Sequence, residues 1–491
     1  MRKLTFTTLV LAIILMFTSN QSFSQLGKLK SKVNSAKSKV SQSKTSSSSN
    51  SSSNSTSSQT STKSNSASSS SATTSSTKGK EYYVCRATGH GKVGSKEQPA
   101  KDLASLISKL QPGDIIHIAG GNYISRQGRG SDKIEVPVQI IGGYSPDFSA
   151  RDPWGKYKTV FSGENRYNET NTQYRLIIET HMKYKEYKGT IVVDGIIIDN
   201  GNRNYYTDDK QLKIIRKASP GEGKNNTPES GGIKITLGKY ANAEIKNCII
   251  ANTAPTGGVI SMSANKQSKV LIDNNLIINN TGEGIYAMTL YHTQNTADQC
   301  EYTITNNTVL FTWRHDELAQ SYSGNGLKFD TEISKLYVAN NVFGFGDEGG
   351  VDNIKKCKAL VLKDNLFTGN HNYDYREWNT KMKITDIEDD SDILDEKTSG
   401  NITAKITVPV GKEWGTIFAN RKYVSRADVD AKVSAANSST NDLRSMLGLS
   451  LQGNDVAEQT DVWLHRIKLD DAIKAGLSKY NGKYGCKKPS L

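Results

Sequence analysis

From about residue 190 onward the apolar positions come in short runs, each introduced by Asn or Asp. The runs are Asn247-Cys248-Ile249-Ile250, Asn275-Leu276-Ile277, Asn307-Thr308-Val309, Asn341-Val342-Phe343 and Asn365-Leu366-Phe367. Steps between those Asn are 28, 32, 34 and 24 residues. A Gly opening a short alternating strand precedes each, at Gly232, Gly258, Gly284, Gly326 and Gly350. From Gly232, Gly326 and Gly350 the following Asn is 15 residues away. A looser copy is Val193-Asp194-Gly195-Ile196-Ile197-Ile198. Three short strands per unit cannot close a core within the unit, whereas coils stacked about 4.8 Å apart bury a continuous apolar column. The recurring Asn suits a tight turn, since it tolerates left-handed backbone and its amide can bond to the same Asn one coil on. An antiparallel sandwich would not hold a turn Asn in phase, and the L-x-x-L-x-L frame of a leucine-rich repeat is absent. The pattern predicts an all-β chain, a right-handed parallel β-helix over residues 81–400.

Both ends of a solenoid need cover. Leu103, Leu106, Ile107 and Leu110 fall at i, i+3, i+4 and i+7 after Pro99, which predicts an amphipathic capping helix over Pro99 to Leu110. Beyond residue 400 the repeat fades. Helical patterns at Ser425 to Leu447 and Leu469 to Leu477 predict an irregular, partly helical C-terminal cap over 401–491, folding back on the solenoid.

Composition divides the remainder. Arg2 and Lys3, the apolar run Leu4 to Phe17 and the small residues Ser22 and Ser24 read as a signal peptide over 1–24, too short for a membrane span. No Cys follows the expected cleavage site, which argues against a lipid anchor there, and no long apolar run follows in the rest of the chain. Residues 25–80 are almost all Ser, Thr, Asn and Lys, too polar to fold, and predict a disordered linker. That linker holds nine lysines and no acid, and Arg2 and Lys3 add two charges. Of the formal +14, therefore, only +3 belongs to residues 81–491. The pI near 9.2 describes the tether, and a nucleic-acid partner loses its main support. The expectation is a secreted or cell-surface protein and a monomer. Its five cysteines, Cys85, Cys248, Cys300, Cys357 and Cys486, are too sparse and unpatterned for a disulfide framework, with one or two bridges at most.

Tyr82-Tyr83-Val84, Thr88-Gly89, the capping segment, Gly113-Asp114-Ile115-Ile116 and Gly120-Gly121-Asn122-Tyr123 resemble the opening of secreted β-helix proteins of the pectin-lyase-like superfamily. Gly142-Gly143-Tyr144 through Arg151-Asp152 is similar to a stretch of surface proteins of that kind. The resemblance covers about 81–400. It implies fold and export but no single activity, because such proteins include lyases, glycoside hydrolases, epimerases and non-enzymatic adhesins.

Aligning the coils on their Gly places Lys234, Ile260, Tyr286, Lys328 and Asp352 outward, two residues after it. Thr236, Met262, Met288, Asp330 and Ile354 follow four residues after it. Lys328, Asp330 and Asp352 should then form one charged cluster beside Tyr286. Coil insertions supply Tyr291-His292, then Trp313-Arg314-His315-Asp316, and a longer one near Lys234 supplies Tyr205 and Tyr206. Insertions on one side of a solenoid build its binding face, and rings beside carboxylates suit sugars. Tyr205, Tyr206, Tyr286, His292, Trp313 and His315 are therefore candidate substrate-binding residues for an extracellular polysaccharide.

Two chemistries fit. In a uronate-polymer lyase Lys328 would be the base, as in some lyases of the resembled superfamily, with Arg314 or a calcium ion on Asp330 and Asp352 neutralising the carboxylate. Adjacent carboxylates oppose a neutral Lys328 unless calcium takes them up. In a glycoside hydrolase, carboxylates such as Asp316, Asp330 and Asp352 would act as acid and base. The alternative is a non-catalytic surface or adhesion β-helix, in which the charges pair off as an ordinary solvated ladder.

Overall fold

The computed structural model describes residues 79–124, 131–162, 174–199, 231–253, 255, 257–291, 295–313, 324–389, 398–410, 467–477, 480 and 482–490. Its strands form three sheets, one of ten strands (sheet A) and two of nine (sheets B and C), each visited once per coil. Nearly every pairing is parallel, as when Ala243 of sheet A lies beside Val270 and Ile249 of sheet B beside Leu276. In sheet C, likewise, Ile285 pairs with Leu327. The exception is the last pair of sheet C, Tyr373–Glu377 against Thr380–Met382, which is antiparallel. The chain is a parallel β-helix, as the Asn phase predicts. One continuous core fills it, running from Val84, Leu103 and Leu106 through Ile245, Ile272 and Ile304 to Phe367 and Ile384.

The turn between sheets A and B shows why the coils stay in phase. Two adjacent residues share the work that the sequence pattern assigns to one. The first adopts left-handed backbone: Gly195 (φ 67°), Asn247 (54°), Asn274 (53°), Asn306 (54°), Asn340 (58°), Asp364 (54°) and Gly400 (68°). Only Gly, Asn and Asp take this conformation cheaply. The second builds the buried ladder, in which the amide of Asn275 donates to Asn307 (2.9 Å), Asn307 to Asn341 (3.0 Å), Asn341 to Asn365 (2.9 Å) and Asn365 to Asn401 (3.0 Å). Asn247 therefore belongs to the left-handed column and not to the ladder. Cys248 holds the ladder position in that coil, its Sγ 3.6 Å from the Val193 carbonyl just as the Asn275 amide meets Ile245. Cys248→Asn is expected to add a rung and leave the urea midpoint unchanged or higher. A loss beyond about 1 kcal/mol would mean the site cannot take the amide's volume.

The N-terminal cap is helical but not α-helical. Leu103–Ser105 and Ile107–Lys109 are two 3-10 turns, the first closed by Asp102, which accepts from the Ser105 backbone N–H at 3.0 Å and its hydroxyl at 2.6 Å. Short 3-10 pieces serve as connectors, and Leu103, Leu106 and Leu110 still reach the core. After helix α1 (Ile384–Asp389) the predicted C-terminal helix is present as α2 (Leu469–Gly476). The pattern at 425–447 lies outside the described residues. Helix α2 folds back along the outside of sheet B, where Ala472 and Ala475 join Ile249, Leu276 and Ile278 in a second apolar layer. Cys486 N–H then donates to Thr308 Oγ1 (2.9 Å) and Lys487 N–H to Asn274 Oδ1 (2.7 Å). This cover hides an apolar stripe that would otherwise be open to association.

All five cysteines are buried and free, so burial and ladder bonds, not disulfides, hold the described fold. Among the described residues no helix is long and apolar enough to cross a membrane.

Candidate functional site

The outer face of sheet C carries the predicted charges. Backbone register lines up Lys234, Ser261, Tyr286, Lys328, Asp352 and Arg376, one from each of six successive coils. The neighbouring row is Thr236, Ser263, Met288 and Asp330. Ile260 and Met262 are not in these rows but fully buried in the core. Gly258 pairs with Glu283, so it stands one place ahead of the glycine frame, and the outward residues of its coil are Ser261 and Ser263. At the frame glycines the backbone of the next coil comes too close to admit a Cβ. A Cβ on Gly284 would sit 2.5 Å from the Gly326 carbonyl oxygen, and one on Gly350 would sit 2.6 Å from that of Asp374.

Lys328, Asp330 and Asp352 lie together, yet each has its own partner. Lys328 Nζ is 3.3 Å from Glu283 Oε1 and 5.5 Å from the centre of the Tyr286 ring. Asp330 accepts from the Tyr286 hydroxyl at 2.8 Å and pairs with Lys355 at 3.6 Å. Asp352 is fully buried and held by Arg376 through both Nε (2.8 Å) and Nη2. A carboxylate sealed in such a fork is no hydrolytic acid or nucleophile. With Asp330 and Asp352 both taken by protein cations or a hydroxyl, they make no joint calcium seat. Among the described residues no group of three His, Cys, Asp or Glu is placed to hold a metal.

Trp313 is not a sugar-facing ring. It is 1% exposed, its indole N–H donates to Asn279 Oδ1 (3.2 Å), and it stacks on Phe311 in the layer over sheet B. Every residue of Thr308–Trp313 is buried, and Trp313 shares the layer outside sheet B with residues of the C-terminal segment. Tyr286 keeps its place on the outer face, half-buried. Arg314, His315, Asp316, His292, Tyr205 and Tyr206 lie outside the described residues.

The residue that pattern reading misses is Glu283. It is buried to 4% exposure and accepts from the backbone N–H and the side-chain amide of Asn325, both at 3.0 Å. Asn325 in turn accepts from the Tyr373 hydroxyl at 2.6 Å. Burial pushes the Glu283 carboxyl up to about 7; Lys328 opposes the shift and Asp352 adds to it. Burial likewise raises the Asp352 carboxyl, against the pull of Arg376 and Lys328. Lys328 thus lies against a carboxylate, and Glu283 is a buried acid beneath the outer face whose ionisation burial moves towards neutrality. One signal marks Glu283 in the chain: it directly precedes the frame residue Gly284, as Asn325 precedes Gly326. Arg376 carries no such mark, because Asp374 stands where that coil's glycine would be.

The chain matches no protein-family model and no curated protein. Among solved structures it is similar to pectate lyase Pel9A, at 11% identity and a TM-score of 0.22 over 62% of this chain and 56% of that one. It is also similar to the GH136 lacto-N-biosidase from Eubacterium ramulus, at 13% identity and a TM-score of 0.27 over 66% and 67% of the two chains. The chain spans little more than half the length of the pectate lyase.

Proposed function

We propose that this is an exported β-helix protein that binds an extracellular polysaccharide along the outer face of sheet C, around Lys328. The observation that carries the reading is that Tyr286 and Lys328 stand in register on adjacent coils, both partly exposed and the ammonium 5.5 Å from the ring centre, beside the partly exposed Asp330. A linear polymer laid along the axis would meet the Tyr286 ring and the Lys328 ammonium on adjacent coils about 4.8 Å apart, while Asp352 and Arg376 lie buried next to them. The apolar run Leu4 to Phe17 supports export. Isothermal titration against pectate, alginate, glycosaminoglycan and neutral glucan oligosaccharides tests it. Lys328→Met, which keeps the stem and removes the charge, should weaken binding about tenfold for a lost charged contact. Unchanged affinity would move the site elsewhere.

Glu283 favours a second reading, a uronate lyase. Its carboxylate would take the proton beside the uronate carboxyl group while Lys328 neutralises the developing charge. The electron pair becomes the new carbon–carbon double bond, and the glycosidic oxygen leaves and collects a proton. Ultraviolet absorbance from unsaturated products, with and without calcium, is the assay. No product and unchanged polymer length would leave the non-catalytic surface or adhesion role, which the pairing of Lys328, Asp330 and Asp352 with their own partners already supports.

A further inference from the structure

The two outward rows of sheet C end in different chemistry. The first closes on Arg376, and one strand position beyond the Asn353 and Glu377 pair the second reaches Trp378. Glu377 pairs with Thr380 across the antiparallel ending of the sheet, so Trp378 and Asn379 form a two-residue hairpin turn. In such turns the first residue takes positive φ, and glycine is its usual occupant. Trp378 holds φ 55° there. The residue is 51% exposed, and no hydrogen bond, ion pair or ring contact joins its indole to the described residues. A large ring left half bare, on backbone that suits glycine better, contributes little to folding. Inference runs from such an outlier towards function.

We propose that Trp378 is a sugar-stacking platform, the terminal subsite of the polysaccharide-binding face of sheet C; this rests on the function proposed above. The indole would cover the apolar face of a pyranose, the usual way a ring holds a sugar. The same end of sheet C carries cationic groups suited to the polar edge of that sugar. Lys381 pairs with Arg376 across the hairpin, is 44% exposed, and bonds Glu348 at 2.9 Å. Lys355, beside Asp330 in the same outward region, is 28% exposed. Among the described residues sheet C closes on this antiparallel hairpin, with Thr380–Met382 standing where sheets A and B carry the parallel strands Thr398–Ser399 and Ile402–Thr403. The subsite is thus placed to receive the end of a chain whose middle passes Lys328.

Trp378→Gly separates the roles, because glycine fits the turn. In the full chain the variant should melt at the same temperature or higher, while affinity for hexasaccharides of the polymer that binds falls about tenfold and affinity for its disaccharide stays unchanged. Trp378→Phe should recover most of the loss. A clear fall in melting temperature with no change in hexasaccharide affinity would overturn the subsite and make Trp378 a structural residue. If Lys328→Met weakens binding and Trp378→Gly does not, the subsite fails and the binding face stands. If the unaltered protein binds none of the oligosaccharides, both fail.

Discussion

Asn307→Ala is expected to destabilise the solenoid by about 3–5 kcal/mol, read as a lowered urea midpoint, although the change removes only a small polar side chain. Asn307 is fully buried, and its side chain makes four bonds. Its Oδ1 accepts from the Asn275 backbone N–H (3.0 Å) and amide (2.9 Å), and its Nδ2 donates to the Ile272 carbonyl (2.8 Å) and Asn341 Oδ1 (3.0 Å). Alanine leaves several of these groups without partners and without water, each costing about 1–3 kcal/mol before relaxation. The matched control is its neighbour. Asn306 holds the left-handed turn at φ 54° and bonds Asp273 at 2.8 Å on a partly exposed edge. Asn306→Gly preserves that backbone and should cost under about 1 kcal/mol. Equal losses from the two variants would mean that the ladder does not lock the coils. In a solenoid each coil contacts only its neighbours, so the midpoint should be followed with more than one probe.

That pair of residues also explains how much was legible in the chain. The doublets Asn274-Asn275, Asn306-Asn307 and Asn340-Asn341 stand in plain view, and their spacing alone yields the coils and the three sheets. The division of labour is hidden, because Asn can do either job and only geometry assigns them. At the first coil the doublet is Asn247-Cys248, so a search for Asn finds the turn residue and takes it for the ladder. The outward rows were legible for the same reason and faltered for the same reason. Gly232, Gly284, Gly326 and Gly350 mark the frame where a Cβ would strike the next coil, but Gly258 is displaced by one and Asp374 replaces the mark altogether. One error moved Ile260 and Met262 to the wrong side, and the other concealed Arg376. Trp313 shows a further limit. Nothing in Thr308–Trp313 tells that helix α2 and the C-terminal tail, far along the chain, cover the outside of sheet B, and so an apparently exposed ring is core.

Glu283 is expected to make the protein markedly less stable above neutral pH than below it. Its carboxyl is expected to ionise near 7 in the folded state, against about 4.5 when unfolded, because desolvation in the sheet, with the charge of Asp352 added, outweighs the pull of Lys328. Between those values the folded chain holds a proton that the unfolded chain has released, so raising pH favours unfolding. The contribution is complete below about pH 4.5 and is lost as pH rises through about 7. A difference of that size corresponds to roughly 3 kcal/mol at 1.36 kcal/mol per unit. Urea midpoints in the parent chain should therefore fall from pH 5 to about pH 7 and level off between there and pH 8.5. Glu283→Gln keeps the acceptor for Asn325 and cannot ionise, so its profile should be flat over the same range. A parallel fall in both would assign the effect to other groups. The same measurement bears on chemistry, since a carboxyl that ionises near 7 beside a fixed ammonium can both take and return a proton at working pH. If the stability profile and any product formation share a midpoint, both belong to Glu283. If stability titrates there and no product forms, the buried acid keeps its place as the carboxyl that joins Asn325, Tyr373 and Lys328 beneath a binding face.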